Sequence, residues 1–333
     1  MLAVVRPGST RSDMSKVAVV GNTGWGRTIA GLLSRNGADV RLLTRTREEA
    51  EALRCGHFEF NPTEEPAQAL DSAGYVVWAV PSQTMRANVA HLHEVLTPDL
   101  CHVSVAKGLE VESGKRMTQV IRDVLGAREA RGFCALSGPN LAEEISRGLP
   151  AATVVASDSS TIADEVQTLF RSHRFIPVTS DDIVGVELAG ALKNVVALGA
   201  GMMDGLGLGD NAKSAFIAFT WSEVIALGAA MGARESTFYG LAGIGDVVAT
   251  CVSDLSRNHF VGAEIARGRG LGEILASMHQ VAEGVHTAKA VHRLAHEIPT
   301  DAPIMLSIYR ALFEGYPVGK AVARFTGQVQ RRC

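Results

Sequence analysis

From residue 16 to about residue 176, short apolar runs alternate with longer amphipathic stretches. KVAVV begins at 16, DVRLL at 39, YVVWAV at 75, CHVSVA at 101, FCAL at 133 and ATVVA at 152. Strand-like runs separated by helical patterns predict parallel βαβ units. The runs are apolar on both faces, as a parallel sheet covered by helices on each side requires. After residue 181 the strand signals stop. Helical patterns take over at 183–203, 212–231, 259–266, 286–296 and 303–313, with Gly-rich breaks between them. The predicted fold class is α/β, a doubly wound sheet over 16–181 followed by an all-α half over 182–330. Residues 1–15 read as a disordered extension, with Met14-Ser15-Lys16 a natural start. No charge run, low-complexity linker or fixed-period repeat occurs, so the boundary near 181 is expected to be packed, with ligands where the halves meet.

Composition agrees with two domains. A chain of 333 residues exceeds what one hydrophobic core usually serves. Its 47% hydrophobic and 20% charged residues are those of an ordinary globular protein. A formal net charge of -3 gives no footprint for a polyanion, which argues against nucleic acid as a partner. Cys55, Cys101, Cys134, Cys251 and Cys333 are widely spaced without a CxxC pair, which fits neither a disulfide framework nor a zinc site and points to the cytoplasm. The longest apolar run, at 195–203, falls short of the ~20 residues of a membrane span. Residues 2–5 are too few for a signal-peptide core, so no membrane insertion or export is expected.

Gly21-Asn22-Thr23-Gly24-Trp25-Gly26 follows the first predicted strand and opens a helical stretch. That is the context of the dinucleotide fingerprint of Rossmann-like sheets, in which glycines allow a tight turn and helix N-terminal amides face a pyrophosphate. Thr23 stands where the second glycine normally is. At the end of the second strand, where NAD enzymes commonly carry an acidic residue, the chain has Thr44-Arg45-Thr46-Arg47. Arginines there suit a 2′-phosphate, so NADPH is the expected cofactor, with NADH the alternative.

Further motifs are VPSQ at 80–83, AKGLE at 106–110, SGPNLAEE at 137–144 and GALKNVVALGAGMMDGLGLGDNAK at 190–213. AGIGDVVATC at 242–251, LSRN at 255–258 and VAEGVHTAK at 281–289 follow. Together they closely resemble the bacterial NAD(P)-dependent glycerol-3-phosphate dehydrogenases, from about residue 16 to about 325. The resemblance implies reduction of dihydroxyacetone phosphate to sn-glycerol 3-phosphate for phospholipid synthesis, by a cytoplasmic homodimer.

Reducing a ketone needs a proton donor for the oxygen, and a lysine serves. Lys193 lies in an otherwise apolar helix, where a cation is expensive unless it faces a polar site. The resemblance makes it the catalytic lysine. Lys107, at a predicted strand end, would sit at the carboxyl edge of the sheet, where it is expected to meet substrate and cofactor and to depress the pKa of Lys193. Gly138, Pro139 and Asn140 form a turn before a helix whose amides could face an anion. By resemblance Gly138 and Asn140 bind substrate, and Ala142 the cofactor. Asp246 is by resemblance a substrate contact and on local grounds equally a helix cap. Ser256 reads as an N-cap, with Arg257 able to fork around a phosphate. The resemblance assigns Ser256, Arg257 and Asn258 to the substrate. It assigns Arg257, Val281 and Glu283 to the cofactor, beside Gly21, Thr23, Gly24, Trp25, Gly26 and Arg45. The pairs His91/His93 and His292/His296 lack a further ligand motif, so no metal is expected. Two rivals remain: a β-hydroxyacid or ketopantoate-type reductase, which shares the domain plan but not the SRN segment, and a non-catalytic cofactor sensor, which Thr23 would favour.

Overall fold

The computed structural model describes residues 15–322 other than 57 and 279. The predicted extension at 1–15 therefore falls almost wholly outside the described residues, as do Cys333 and the last residues of the helical half.

The sheet consists of β1 (Lys16–Val20), β2 (Asp39–Leu43), β3 (Asn61–Thr63), β4 (Tyr75–Trp78), β5 (Cys101–Ser104), β6 (Gly132–Ser137), β7 (Ala151–Ala156) and β8 (Phe175–Ser180). Their order is β3-β2-β1-β4-β5-β6-β7-β8. The chain winds outward from β1 through β2 to β3, then returns to β4 on the other side of β1, which makes the β1/β4 crevice the switch point where such sheets bind ligands. Alternate residues of β1 feed opposite layers. Val17 and Val19 pack with Ile29, Leu33 and Phe170 on one face. Ala18 and Val20 pack with Met85, Val89 and Val120 on the other. Burial on both faces is why the run is continuously apolar.

Three strand assignments differ from expectation. β7 pairs with β6 antiparallel, not parallel. The only helix between them, Ala142–Ser146, has five residues. At ~1.5 Å per residue it cannot carry the chain back along a six-residue strand, so β7 runs in the reverse direction. β3 and β8 were not legible as strands, because both are edge strands containing proline, Pro62 and Pro177, a residue that edges tolerate.

The second half is helical, as expected. Its centre is the helix Ile183–Gly205, whose residues from Gly185 to Met203 are all buried. By length and composition this helix could cross a membrane, a possibility the shorter run at 195–203 did not suggest. However, 94% of its most apolar window is buried inside the protein, which makes it a core helix. Around it pack Gly209–Ala230, Asp246–Val252, Arg257–Ala266, Glu283–Glu297 and Pro303–Phe313. Contact with Arg257–Ala266 is backbone to backbone: a Cβ at Gly262 would stand 1.8 Å from the Leu198 carbonyl oxygen. Glycine at this crossing brings the residues at the start of helix Arg257–Ala266 close to those in the middle of helix Ile183–Gly205.

Candidate active site

A cleft of ≈ 1630 Å³ runs between the two halves. Typical small-molecule pockets measure ~300–1,000 Å³, so it has room for a dinucleotide and a small second ligand. Its wall includes Gly21, Thr23, Gly24, Trp25, Arg45, Lys107, Asn140 and Ala142 from the first half, and Lys193, Ser256, Arg257, Asn258, Val281 and Glu283 from the second. Residues predicted from distant motifs thus share one surface.

The fingerprint turn is built as its glycines require. Gly21 has φ +116°, and a Cβ there would meet the Ala79 carbonyl oxygen at 2.7 Å. Gly26 is fixed by close approach, since its Cβ would lie 2.0 Å from the Gly21 oxygen. Thr23 is the N-cap of helix Gly24–Arg35, its hydroxyl accepting from the Gly26 amide at 2.9 Å and donating to the Ala79 oxygen at 3.0 Å. The threonine side chain is thereby consumed within the turn. At Gly24 an added Cβ would meet nothing nearer than Gln280 at 3.6 Å, so the helix N-terminus faces open cleft. This cradle suits a pyrophosphate.

In the deepest part, Lys107 donates to the Gly138 carbonyl at 2.7 Å and to Asp246 Oδ2 at 2.9 Å. Lys193 donates to the other carboxylate oxygen, Oδ1, and to Thr250 Oγ1 at 2.7 Å. Lys193 is 6% exposed and Asp246 1%. A π-helical turn, Leu241–Gly245, leads into helix Asp246–Val252 and aims the carboxylate inward. Asp246 is therefore neither a plain cap nor a wall residue; it is the shared counter-ion of two lysines. The Lys193 pKa is pushed down to about 8. Burial is the main cause, Asp246 opposes it, and Lys107 adds to the fall. The expected coupling to Lys107 is present in direction but second to desolvation.

Asn194, one residue on, donates to the Lys107 carbonyl at 3.1 Å and accepts from Asn258 at 2.9 Å. Asn258 in turn accepts from the Gly284 amide at 2.9 Å. Its amide thus joins three elements and is not left entirely to a ligand. Ser256 caps helix Arg257–Ala266, as predicted, accepting from the His259 amide. Arg257 gives one of its five N–H donors to the Val281 carbonyl, at 2.9 Å, and extends along the cleft. Asn140 donates to Thr153 at 2.9 Å, while its buried Oδ1 has no hydrogen-bond partner among the described residues. Glu283 accepts from the Ser82 amide at 2.9 Å and from the Ser82 hydroxyl, linking the halves across the cleft. Burial pushes its carboxyl above the usual range, against those hydrogen bonds.

At the far end Arg45 is exposed and pairs with Glu49 at 3.0 Å, while Arg47 pairs with Glu51 at 2.8 Å. Gly26 and Gly138 support the cleft from behind without lining it, Gly138 through its carbonyl to Lys107. The His292 ring stacks on Tyr309 at 3.9 Å, away from the cleft.

Sequence reasoning missed Thr250, Asn194, Ser82 and Glu49. Thr250 lies four residues beyond Asp246, on the same helix face, and that spacing was the available signal. Asn194 sat beside a chosen lysine. Nothing local marked Ser82 as the partner of a glutamate 201 positions away.

Residues 16–163 match the family model described as NAD-dependent glycerol-3-phosphate dehydrogenase N-terminus, and residues 182–323 that of the C-terminus. The chain is 45% identical over 313 residues to a glycerol-3-phosphate dehydrogenase (NAD(P)+) of Dehalococcoides mccartyi, covering 90% of this chain and 87% of the relative. The corresponding protein of Chlorobium limicola is 41% identical over 92% of this chain and 96% of its own. The crystal structure of a glycerol-3-phosphate dehydrogenase from Coxiella burnetii superposes with a TM-score of 0.89 at 27% identity, over 94% of this chain and 99% of that one. The chain therefore belongs to the NAD-dependent glycerol-3-phosphate dehydrogenase family.

Proposed function

We propose that the protein catalyses the reversible, NAD(P)H-dependent reduction of dihydroxyacetone phosphate to sn-glycerol 3-phosphate, supplying glycerol backbones for phospholipids. Lys193 carries this reading: a buried cation with a pKa near 8, held at the cleft by a carboxylate and a hydroxyl. The fingerprint turn Gly21–Gly26 and the β1/β4 crevice would hold a nicotinamide cofactor, which would supply the hydride for the central carbon. Lys193 delivers the proton that converts the carbonyl oxygen to a hydroxyl, so carbon and oxygen together gain one hydride and one proton. Asp246 fixes the Nζ position and keeps an ammonium affordable in a buried place, while Lys107 limits how basic it becomes. The remaining Arg257 donors grip the phosphate, and Ser256 and Asn258 hold that arginine on a capped helix tied to Asn194. Asn140 completes the substrate wall, with Gly138 behind it holding Lys107 through its carbonyl. Ala142, Val281 and Glu283 line the cofactor side, and the Ser82–Glu283 link holds the halves around it.

The same reading divides the chain into a dinucleotide-binding half, 16–181, and a substrate and dimerisation half, 182–330. It favours NADPH, on account of Arg45, and a cytoplasmic homodimer. Supporting the latter are the unpaired Cys55, Cys101, Cys134 and Cys251, and exposed apolar residues of the helical half such as Tyr239, Val248 and Val252. The direct test follows NADPH and NADH oxidation with dihydroxyacetone phosphate, beside Lys193→Ala. Turnover lost in the mutant is expected. Folded wild-type protein inert with both cofactors would overturn the reading.

A further inference from the structure

Glu49, in the first turn of helix Arg47–Arg54, bends back over the end of β2. Its Oε2 accepts from the Arg45 amide at 3.2 Å and from Asn22 Nδ2 at 3.4 Å, while Oε1 accepts from the Arg45 guanidinium at 3.0 Å. Asn22 belongs to the glycine turn after β1, and Arg45 follows β2. These two segments bracket the place where Rossmann sheets seat the adenosine ribose. Both line the cleft. Thr44, at the position nearest the usual acidic residue, carries no charge, is 5% exposed and spends its hydroxyl proton on the Thr46 carbonyl at 2.9 Å. The Glu49 carboxylate, from the following helix, lies beside that place, bonded to the cleft-lining Asn22 and Arg45. The Arg45 and Asn22 hydrogen bonds hold the Glu49 carboxyl below its ordinary pKa even though burial opposes them, so it is charged at neutral pH.

We propose that Glu49 is the residue that sets discrimination between NADPH and NADH, an inference that rests on the dehydrogenase reading given above. With NADH, the carboxylate accepts from the ribose hydroxyls and retains Arg45. A 2′-phosphate brings a charge of about −2 next to that carboxylate. Arg45 must then be shared between that phosphate and Glu49. Glu49 thus acts twice against the phosphorylated cofactor, by like-charge repulsion and by occupying the cation that would bind it.

The test measures binding of 2′,5′-ADP and of 5′-AMP by calorimetry to the full chain without substrate, in wild type and in Glu49→Gln, which keeps the side chain's shape. The substitution is expected to tighten 2′,5′-ADP about tenfold and to weaken 5′-AMP by no more than about threefold, with the gain shrinking in high salt because the pair is near the surface. Arg45→Ala in the same assay is expected to weaken 2′,5′-ADP specifically. Equal changes for the two fragments in Glu49→Gln, or no change in protein with an unaltered melting temperature, would overturn the proposal. If that variant does not fold, Arg45→Ala decides alone: equal loss for both fragments overturns the proposal. Absence of dihydroxyacetone phosphate turnover, with the fragment pattern as expected, would remove the reaction and leave this inference standing.

Discussion

Deep in the cleft, Lys193 and Asp246 are 6% and 1% exposed and their contacts come from separate elements, whereas at the adenosine end the Arg45 side chain is 86% exposed and pairs within its own turn. Both places use a lysine or arginine beside a carboxylate. In the first, desolvation makes every charge strongly dependent on its neighbours, so the pair fixes geometry and proton affinity together. In the second, water and salt screen the interaction, and the pair can open for a ligand at a small penalty. The proposed roles follow this division, with the proton donor where charge is rigid and cofactor choice where charge is adaptable.

Substitutions at the two ends should therefore differ in size. Lys193→Ala removes the proton donor and is expected to lower kcat for dihydroxyacetone phosphate reduction by about 10³-fold, measured at saturating cofactor. Asp246→Asn leaves the buried Lys193 and the partly buried Lys107 without their counter-charge. It should lower kcat by about 10²-fold and stability by about 3 kcal/mol in urea unfolding. Gly262→Ala probes the helix crossing that aligns the two halves of the substrate site. Its Cβ has the Leu198 oxygen at 1.8 Å, and a loss of about 2 kcal/mol with a raised KM is expected from denaturation and initial-rate measurements. Arg45→Ala, at the exposed end, should lower only the ratio of kcat/KM for NADPH over NADH, by about fivefold. An Arg45→Ala effect as large as that of Lys193→Ala would erase the distinction between the ends.

Much of this was legible in the chain. Five of the six strands read from apolar runs formed as the expected parallel members, and the helical half followed its periodicity, because burial on all sides leaves an unbroken apolar signature. β3 and β8 were hidden by prolines that edge positions permit, and the direction of β7 by a connection whose length, not composition, decides it. Most residues named from motifs share the cleft wall, with Gly26, Gly138 and Asp246 behind it. The role of Asp246 was not legible, because the sequence cannot show that residues 107, 193 and 246 converge. Glu49 escaped for the opposite reason. The acidic residue was sought at the end of β2, and the chain supplies it from the next helix.

The central claim is that Lys193, buried against Asp246 and Lys107, is the acid of the reduction. An acid must be protonated, so kcat/KM for reduction should be level below pH 7 and fall as pH rises through about 8, while glycerol 3-phosphate oxidation rises over the same interval. The most direct measurement is this pH profile in wild type and in Lys107→Met, whose falling limb should move to higher pH because a neighbouring cation has gone. A reduction rate independent of pH from 6.5 to 9.5, or a limb that Lys107→Met leaves in place, would contradict the account.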